Sequence, residues 1–163
     1  METNWLRHKE LIHAIYKYAN AYASICFNES LGGEIKMSSI DVQIIEQILD
    51  HSEEHRNMKW YAEKIGISTS TFTKRVNLLN KRGLVNKYHT SNNRKNVILV
   101  VTEKGILSYR EYAEKAEKMI FGKVFELLDQ FSQEDLKRLQ EVFDIMSIAH
   151  FDDVLSRPTL IKI

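Results

Sequence analysis

The stretch that decides the fold is Ile65–Gly105, IGISTSTFTKRVNLLNKRGLVNKYHTSNNRKNVILVVTEKG. Its Gly66-Ile67-Ser68 combines a flexible glycine, an apolar anchor and a helix N-cap, the residue types that a tight corner between two helices needs. The run Met58–Ile65 before it predicts a short helix closed by Gly66. Thr69 to about Arg82 predicts a second helix, stopped by Gly83. On that second helix Phe72, Val76 and Leu79 fall within about 60° of one another at ~100° per residue, so they must face a core. The opposite side carries Ser70, Thr73, Lys74, Asn77 and Lys81, with Thr71 and Arg75 at its edges and no acidic group. Leu84–Thr90 and Asn96–Thr102 are β-branched or alternating and predict a two-stranded hairpin, with the polar stretch Ser91–Lys95 as its basic tip.

Working outward, the charge is unevenly distributed. The 163 residues have a formal net charge of only +1. Between His55 and Gly105, however, 11 Lys and Arg stand against Glu63 and Glu103, a local charge of +9, and the flanks together carry −8. A basic centre between acidic ends is the asymmetry expected where one part of a chain meets a polyanion. Upstream, Ile12, Ile15, Ala19, Tyr22 and Cys26 are spaced as one face of an amphipathic helix over residues 5–28, ended by Glu29-Ser30-Leu31-Gly32-Gly33. Ser38 and Asp41 form a capping arrangement before the stripe Val42, Ile45, Ile48 and Leu49. Downstream, Thr102 caps a long helix, and Glu103–Phe131 would reach roughly 40 Å at ~1.5 Å per residue. Ser132 with Asp135 opens a last helix bearing Leu136, Leu139, Phe143 and Met146. The fold class is therefore mainly α (α+β): a winged helix-turn-helix with N- and C-terminal helical extensions.

Short hydroxyl side chains let a helix sit deep in a major groove, and Lys and Arg reach phosphates or guanine edges. The expected DNA contacts are therefore Ser68, Ser70, Thr71, Thr73, Lys74, Arg75, Asn77 and Lys81 on the second helix. Asn92, Arg94 and Lys95 at the hairpin tip would reach an adjacent minor groove. The marks GISTSTFTKRV, Leu79 before Arg82-Gly83-Leu84-Val85, Arg94-Lys95 and Thr102-Glu103-Lys104-Gly105 resemble the winged-helix core of the MarR (multiple antibiotic resistance regulator) family. The clear match covers about a quarter of the chain. Where that family commonly has an Asp before the wing Arg, this sequence has Asn93. The resemblance implies a sequence-specific regulator, a repressor, dimerising through its first and last two helices on a pseudo-palindromic operator, with a small-molecule effector that lowers DNA affinity. It divides the single domain 1–163 into a DNA-binding part at 36–102, helical dimerisation parts at 1–31 and 103–150, and a tail at 151–163.

Pairing with a second copy would also cover the apolar stripes of the outer helices, which have no companion domain. The alternative is an intramolecular bundle. Tyr16, Tyr18, Tyr22, Tyr109 and Tyr112 lie on helices flanking a cleft between the two parts. Tyr16, Tyr22, Tyr109 and Tyr112 are the candidates for an aromatic effector, and plain core or interface is the competing role. His51 and His55 stand four apart beside acidic residues, a metal-ligand spacing if the helix continued. A metal-responsive regulator is thus one alternative, and a winged-helix protein-interaction module without DNA binding is another. Neither a metal nor a cofactor is assigned. The single Cys26 falls on an apolar stripe with no adjacent cation to lower its pKa, which predicts a buried structural thiol in a reducing, cytoplasmic setting. The mixed-charge METNWLRHKE predicts no signal peptide, no run approaches a membrane span, and no phosphate loop, nucleophile elbow or HExxH supports an enzyme.

Overall fold

The structure is a computed structural model that describes the backbone of residues 3–90 and 93–155, with side chains described except at 90, 93–96 and 148–155. The chain divides into two compact units, Met1–Lys115 and Ala116–Ile163. In the first, α1 (Asn4–Ile25) starts where the Thr3 hydroxyl accepts from the Leu6 amide. A pinched loop follows, closed by a bridge between Leu31 and Met37. Gly32 lies in it at φ 120°, where an added Cβ would come within 2.5 Å of the Ile35 carbonyl oxygen, so only glycine fits.

α2 (Ser39–Asp50) opens with the full capping box of Ser38 and Asp41, as the spacing predicted. Its buried stripe is Ile40, Ile44, Ile45 and Ile48. Val42 and Leu49, expected inside, are only half-buried. The helix is rotated because Asp41 itself is buried, against Arg75. After a 3₁₀ turn at Ser52–Glu54, α3 (Met58–Lys64) is capped by Asn57, whose Oδ1 accepts from the Trp60 amide at 2.9 Å. Gly66 at φ 73° turns the chain, and Ser68 caps α4 (Thr69–Lys81).

Phe72, Val76 and Leu79 of α4 are fully buried against α2 and α3, as their spacing required. Phe72 stacks on Tyr61 at 5.9 Å between ring centroids. Gly83, also at φ 73°, leads to the antiparallel pair β1 (Val85–Thr90) and β2 (Asn93–Val101). Pairing reaches Asn93, so the hairpin connection is shorter than the five residues the sequence predicted, and a bulge at His89/Thr90 takes up the register.

The hairpin's base is tied to α5 (Glu103–Ala116) by Thr102. Its hydroxyl donates to the Gly83 carbonyl at 2.7 Å and accepts from the Gly105 amide at 3.0 Å. A Cβ on Gly105 would sit 2.2 Å from the Leu84 carbonyl oxygen, so this crossing needs a glycine. The expected uninterrupted helix to Phe131 is instead α5, a π-helical turn at Glu117–Phe121, and α6 (Gly122–Leu128). The turn ends at a glycine, the residue least committed to regular α-helical geometry. α7 (Gln133–Leu155) begins at the predicted Ser132–Asp135 box.

Truncating Phe72 to alanine deletes a fully buried ring between α3 and α4. It should lower stability by about 3–5 kcal/mol, read as a shift in the urea midpoint at unchanged slope.

Candidate nucleic-acid interface

The outer side of α4 is built by its cap. Ser68 Oγ accepts from the Thr71 amide at 3.2 Å and contacts the hydroxyls of Ser70 (3.0 Å) and Thr71 (2.8 Å), forming a hydroxyl cluster at the helix start. Ser68, Ser70, Lys74, Asn77 and Lys81 are exposed, and Thr71 and Thr73 are half-buried. Thr73 folds its hydroxyl back onto the Thr69 carbonyl at 2.8 Å. Among the described residues neither Lys74 nor Lys81 has an ion-pair partner. The inner face of this helix is fixed in the core, so the cations and the Asn77 amide are presented outward on a rigid support.

Lys87 of β1 joins them. Its Nζ donates to Asn77 Oδ1 at 2.7 Å, holding the amide oriented and adding a cation to the face. The sequence reading missed Lys87 because its partner lies ten residues away across the Gly83 turn, and no local spacing marks the pair. In the wing, Arg94 and Lys95 fall on β2, but Asn92 and the side chains of Arg94 and Lys95 lie outside the described residues.

Arg75, expected to reach DNA from the edge of this face, is engaged inside the protein. Its Nε donates to Asp41 Oδ1 at 2.8 Å and its Nη2 to Asp41 Oδ2, a bidentate pair with a carboxylate of zero exposure. Nη2 also donates to Ser38 Oγ (3.3 Å) and Glu29 Oε1 (3.2 Å). Burial disfavours the charge on Arg75, but the hydrogen bonds and charges of Asp41 and then Glu29 outweigh it and hold its pKa above the usual value. Local periodicity placed Arg75 at the edge; its partners, 34 and 46 residues away, turn it inward.

Of the candidate effector tyrosines, two bond to α2. Tyr22 OH accepts from Gln43 Nε2 (2.6 Å) and Ser39 Oγ (3.1 Å). Tyr109 OH donates to Glu46 Oε1 at 2.8 Å, and Tyr112 is buried. Tyr16 remains exposed on α1. Burial raises the pKa of Tyr112, with Tyr22 and Asp41 adding to it. The Glu46 hydrogen bond, then burial, then the charges of Glu46 and Asp50 push Tyr109 up to about 12.

The metal-ligand spacing of His51 and His55 is not realised on a helix. α2 ends at Asp50, His51 Nδ1 lies 3.0 Å from the Gln47 carbonyl with its ring edge-on to Trp60, and His55 adopts φ 50°. No group of three His, Cys, Asp or Glu able to hold a metal occurs among the described residues. Cys26 is buried, with Sγ 3.7 Å from the Ala23 carbonyl oxygen. No described helix is long and apolar enough to cross a membrane.

The raised pKa of Tyr109 has a consequence at alkaline pH. The folded state keeps its proton up to about pH 12, whereas an unfolded tyrosine releases it near 10. The folded state therefore binds more protons between those values, and stability falls as pH rises through that window. Tyr109→Phe should flatten this part of the stability–pH curve in urea titrations; a curve of unchanged slope would contradict the Glu46 hydrogen bond.

No family model matches the chain. PchR, an HTH-type transcriptional regulator of Bacillus subtilis strain 168, is 27% identical over 157 residues, which cover 91% of this chain and 90% of PchR. The PcaV transcriptional regulator of Streptomyces coelicolor, solved with its natural ligand, matches with a TM-score of 0.60 at 16% identity, over 92% of this chain and 99% of PcaV. ZitR of Lactococcus lactis, a zinc-responsive MarR family member, matches with 0.52 at 24% identity over 86% of this chain and 99% of its own. Its complex with DNA matches with 0.54 at 20%, over 92% and 99%. The turn, capped helix and hairpin of residues 58–101, in a chain that matches these solved regulators over most of its length, give this chain a winged helix-turn-helix fold.

Proposed function

We propose that this chain is a sequence-specific DNA-binding transcriptional regulator, a cytoplasmic homodimeric repressor, and not an enzyme. The observation that carries the reading is the outer face of α4, where Ser70, Lys74, Asn77 and Lys81 stand exposed without an acidic neighbour on the helix. With α4 in the major groove, Ser68, Ser70, Thr71, Thr73, Lys74 and Asn77 meet bases and phosphates, Lys81 and Lys87 meet the backbone, and Asn92, Arg94 and Lys95 meet the flanking minor groove. Arg75 leaves the set of contacts because its guanidinium is committed to Asp41 and Glu29. PchR is named a transcriptional regulator, and ZitR has been solved on DNA, which supports the same role here.

Dimerisation through residues 1–31 and 103–150 is supported by exposed apolar side chains in both units. α1 has no buried residue and exposes Trp5, Leu6 and Leu11, while Met119, Phe125 and Ile145 are exposed in the second unit. A second copy would cover them and supply the second recognition helix for a pseudo-palindromic operator. Residues 36–102 are then the DNA-binding part. PcaV has a natural ligand, and by analogy we assign a small-molecule effector to this chain, with Tyr22, Tyr109 and Tyr112 as the residues to test and exposed Tyr16 at the periphery. ZitR is zinc-responsive, whereas His51 and His55 here do not share a helix face as a ligand pair.

Selection from random DNA with the purified chain should return an inverted repeat. Three cations per protomer at phosphates give a slope of log K against log salt of about −5 for the dimer. The double variant Lys74→Glu, Arg94→Glu should weaken operator binding by about 100-fold or more, with the dimer unchanged in sedimentation. Unchanged binding, or salt-insensitive association as expected of a protein-interaction module, overturns the reading.

A further inference from the structure

We propose that Glu29, in the loop after α1, is a positioning residue for the recognition helix: by bridging Arg75 and Arg82 it fixes how α4 is presented, and so sets the affinity for DNA without touching it. The proposal rests on the DNA-binding reading above.

The two oxygens of Glu29 divide between two arginines. Oε1 accepts from Arg75 Nη2 at 3.2 Å, and Oε2 lies 3.2 Å from Arg82 Nη1. The latter is an ion pair by distance, while that nitrogen has no hydrogen-bond acceptor in good geometry. Arg75 and Arg82 are seven residues apart, two turns along α4 and on one side of it, a separation of about 10 Å. One carboxylate therefore spans the C-terminal half of the recognition helix. Side-chain exposures of 16% at Arg75 and 23% at Arg82, against 37% at Glu29, keep the guanidinium groups partly out of water, so removing the carboxylate takes a partner from two half-buried cations.

The loop that carries Glu29 is itself held. Arg82 Nη2 donates to the Lys36 carbonyl, and the Gly32 carbonyl accepts from Lys36 Nζ (3.1 Å) and from Lys115 Nζ of α5 (2.8 Å). The Leu31–Met37 bridge closes it. Glu29 is thus fixed between the end of α1, the end of α5 and the recognition helix. Asp41 and the Ser38 cap hold Arg75 to the start of α2 without Glu29, so loss of Glu29 leaves the core and the buried ion pair intact while freeing α4's C-terminal half. The arrangement uses residues far apart in the chain that no local motif signals.

The test has an electrostatic sign built in. Glu29→Gln removes a negative charge from a DNA-binding unit, and simple attraction to a polyanion would then strengthen binding. The positioning role predicts the reverse: weaker binding by about fivefold to twentyfold, in the lower part of the range for coupling between sites. The salt slope should stay unchanged because no phosphate contact is lost. Lys74→Ala, which does lose one, should reduce the slope by about 1 per protomer. The double variant Glu29→Gln, Arg82→Gln should lose no more affinity than the stronger single, since both break one linkage. A second measurement needs no DNA: amide hydrogen exchange of the free full-length chain should speed up in Glu29→Gln across the loop 27–37 and the second half of α4, and not in α2. If wild-type protein binds no selected DNA but exchange changes as stated, the DNA reading falls and the clamp stands. If wild type binds and Glu29→Gln binds equally or more tightly, or if exchange in α4 is unaltered, the proposal is overturned.

Discussion

A carboxylate with no access to water costs several kcal/mol unless a cation and hydrogen bonds compensate it. Asp41 is such a carboxylate. Its oxygens take the bidentate fork of Arg75, and Oδ2 also accepts from the amide and the hydroxyl of Ser38. One side chain thus starts α2, orients its buried face and seizes α4 from across the core. A lysine at 75 would bring the charge but not two parallel N–H bonds, so the planar guanidinium is what makes the pair directional.

Direction is the property that apolar packing lacks. Phe72, Val76 and Leu79 drive α4 against α2 and α3, but hydrophobic burial is non-directional and tolerates small slides and rotations of a helix. The Asp41–Arg75 fork removes that freedom, because turning α4 about its axis would leave a buried charge unpaired. The outer face is therefore presented at a fixed angle, which a helix reading base edges requires. The hydroxyl cluster at Ser68 and the Lys87–Asn77 bond extend the same order to the residues expected to meet DNA.

What the sequence made legible is what periodicity and capping encode over a few residues. The α3–turn–α4 corner, the Ser38–Asp41 and Ser132–Asp135 boxes and the inward set of α4 all stand where their spacing put them, and the hairpin forms with its second strand starting three residues earlier than expected. Each depends on neighbours within one or two turns. The parts that were not legible depend on distant partners. The stripe of α2 is rotated by the burial of Asp41, a polar residue that a hydrophobic count assigns to the surface. Arg75 sat at the edge of the outer face by angle alone until Asp41 and Glu29 claimed it. The helix expected to run unbroken to Phe131 is interrupted by a π turn that ends at Gly122, and a single glycine within a long apolar pattern is a weak signal. The histidine pair failed as a ligand spacing because α2 stops one residue before His51.

α5 meets the winged-helix part at both of its ends. At its start, Gly105 is pressed against the Leu84 carbonyl, Thr102 bonds the Gly83 carbonyl, and Lys104 Nζ donates to the Arg82 carbonyl at 3.2 Å. At its end, Lys115 holds the loop whose Glu29 grips Arg75 and Arg82. Between them the helix contributes Tyr109, bonded to Glu46 of α2, and the buried Tyr112. The helix is tied to Arg82 twice, through its backbone at one end and, by way of the Glu29 loop, through its guanidinium at the other. The exit of α4 is thus the point where both sets of contacts converge, which makes Arg82, rather than any residue on the outer face, the joint between α5 and α4.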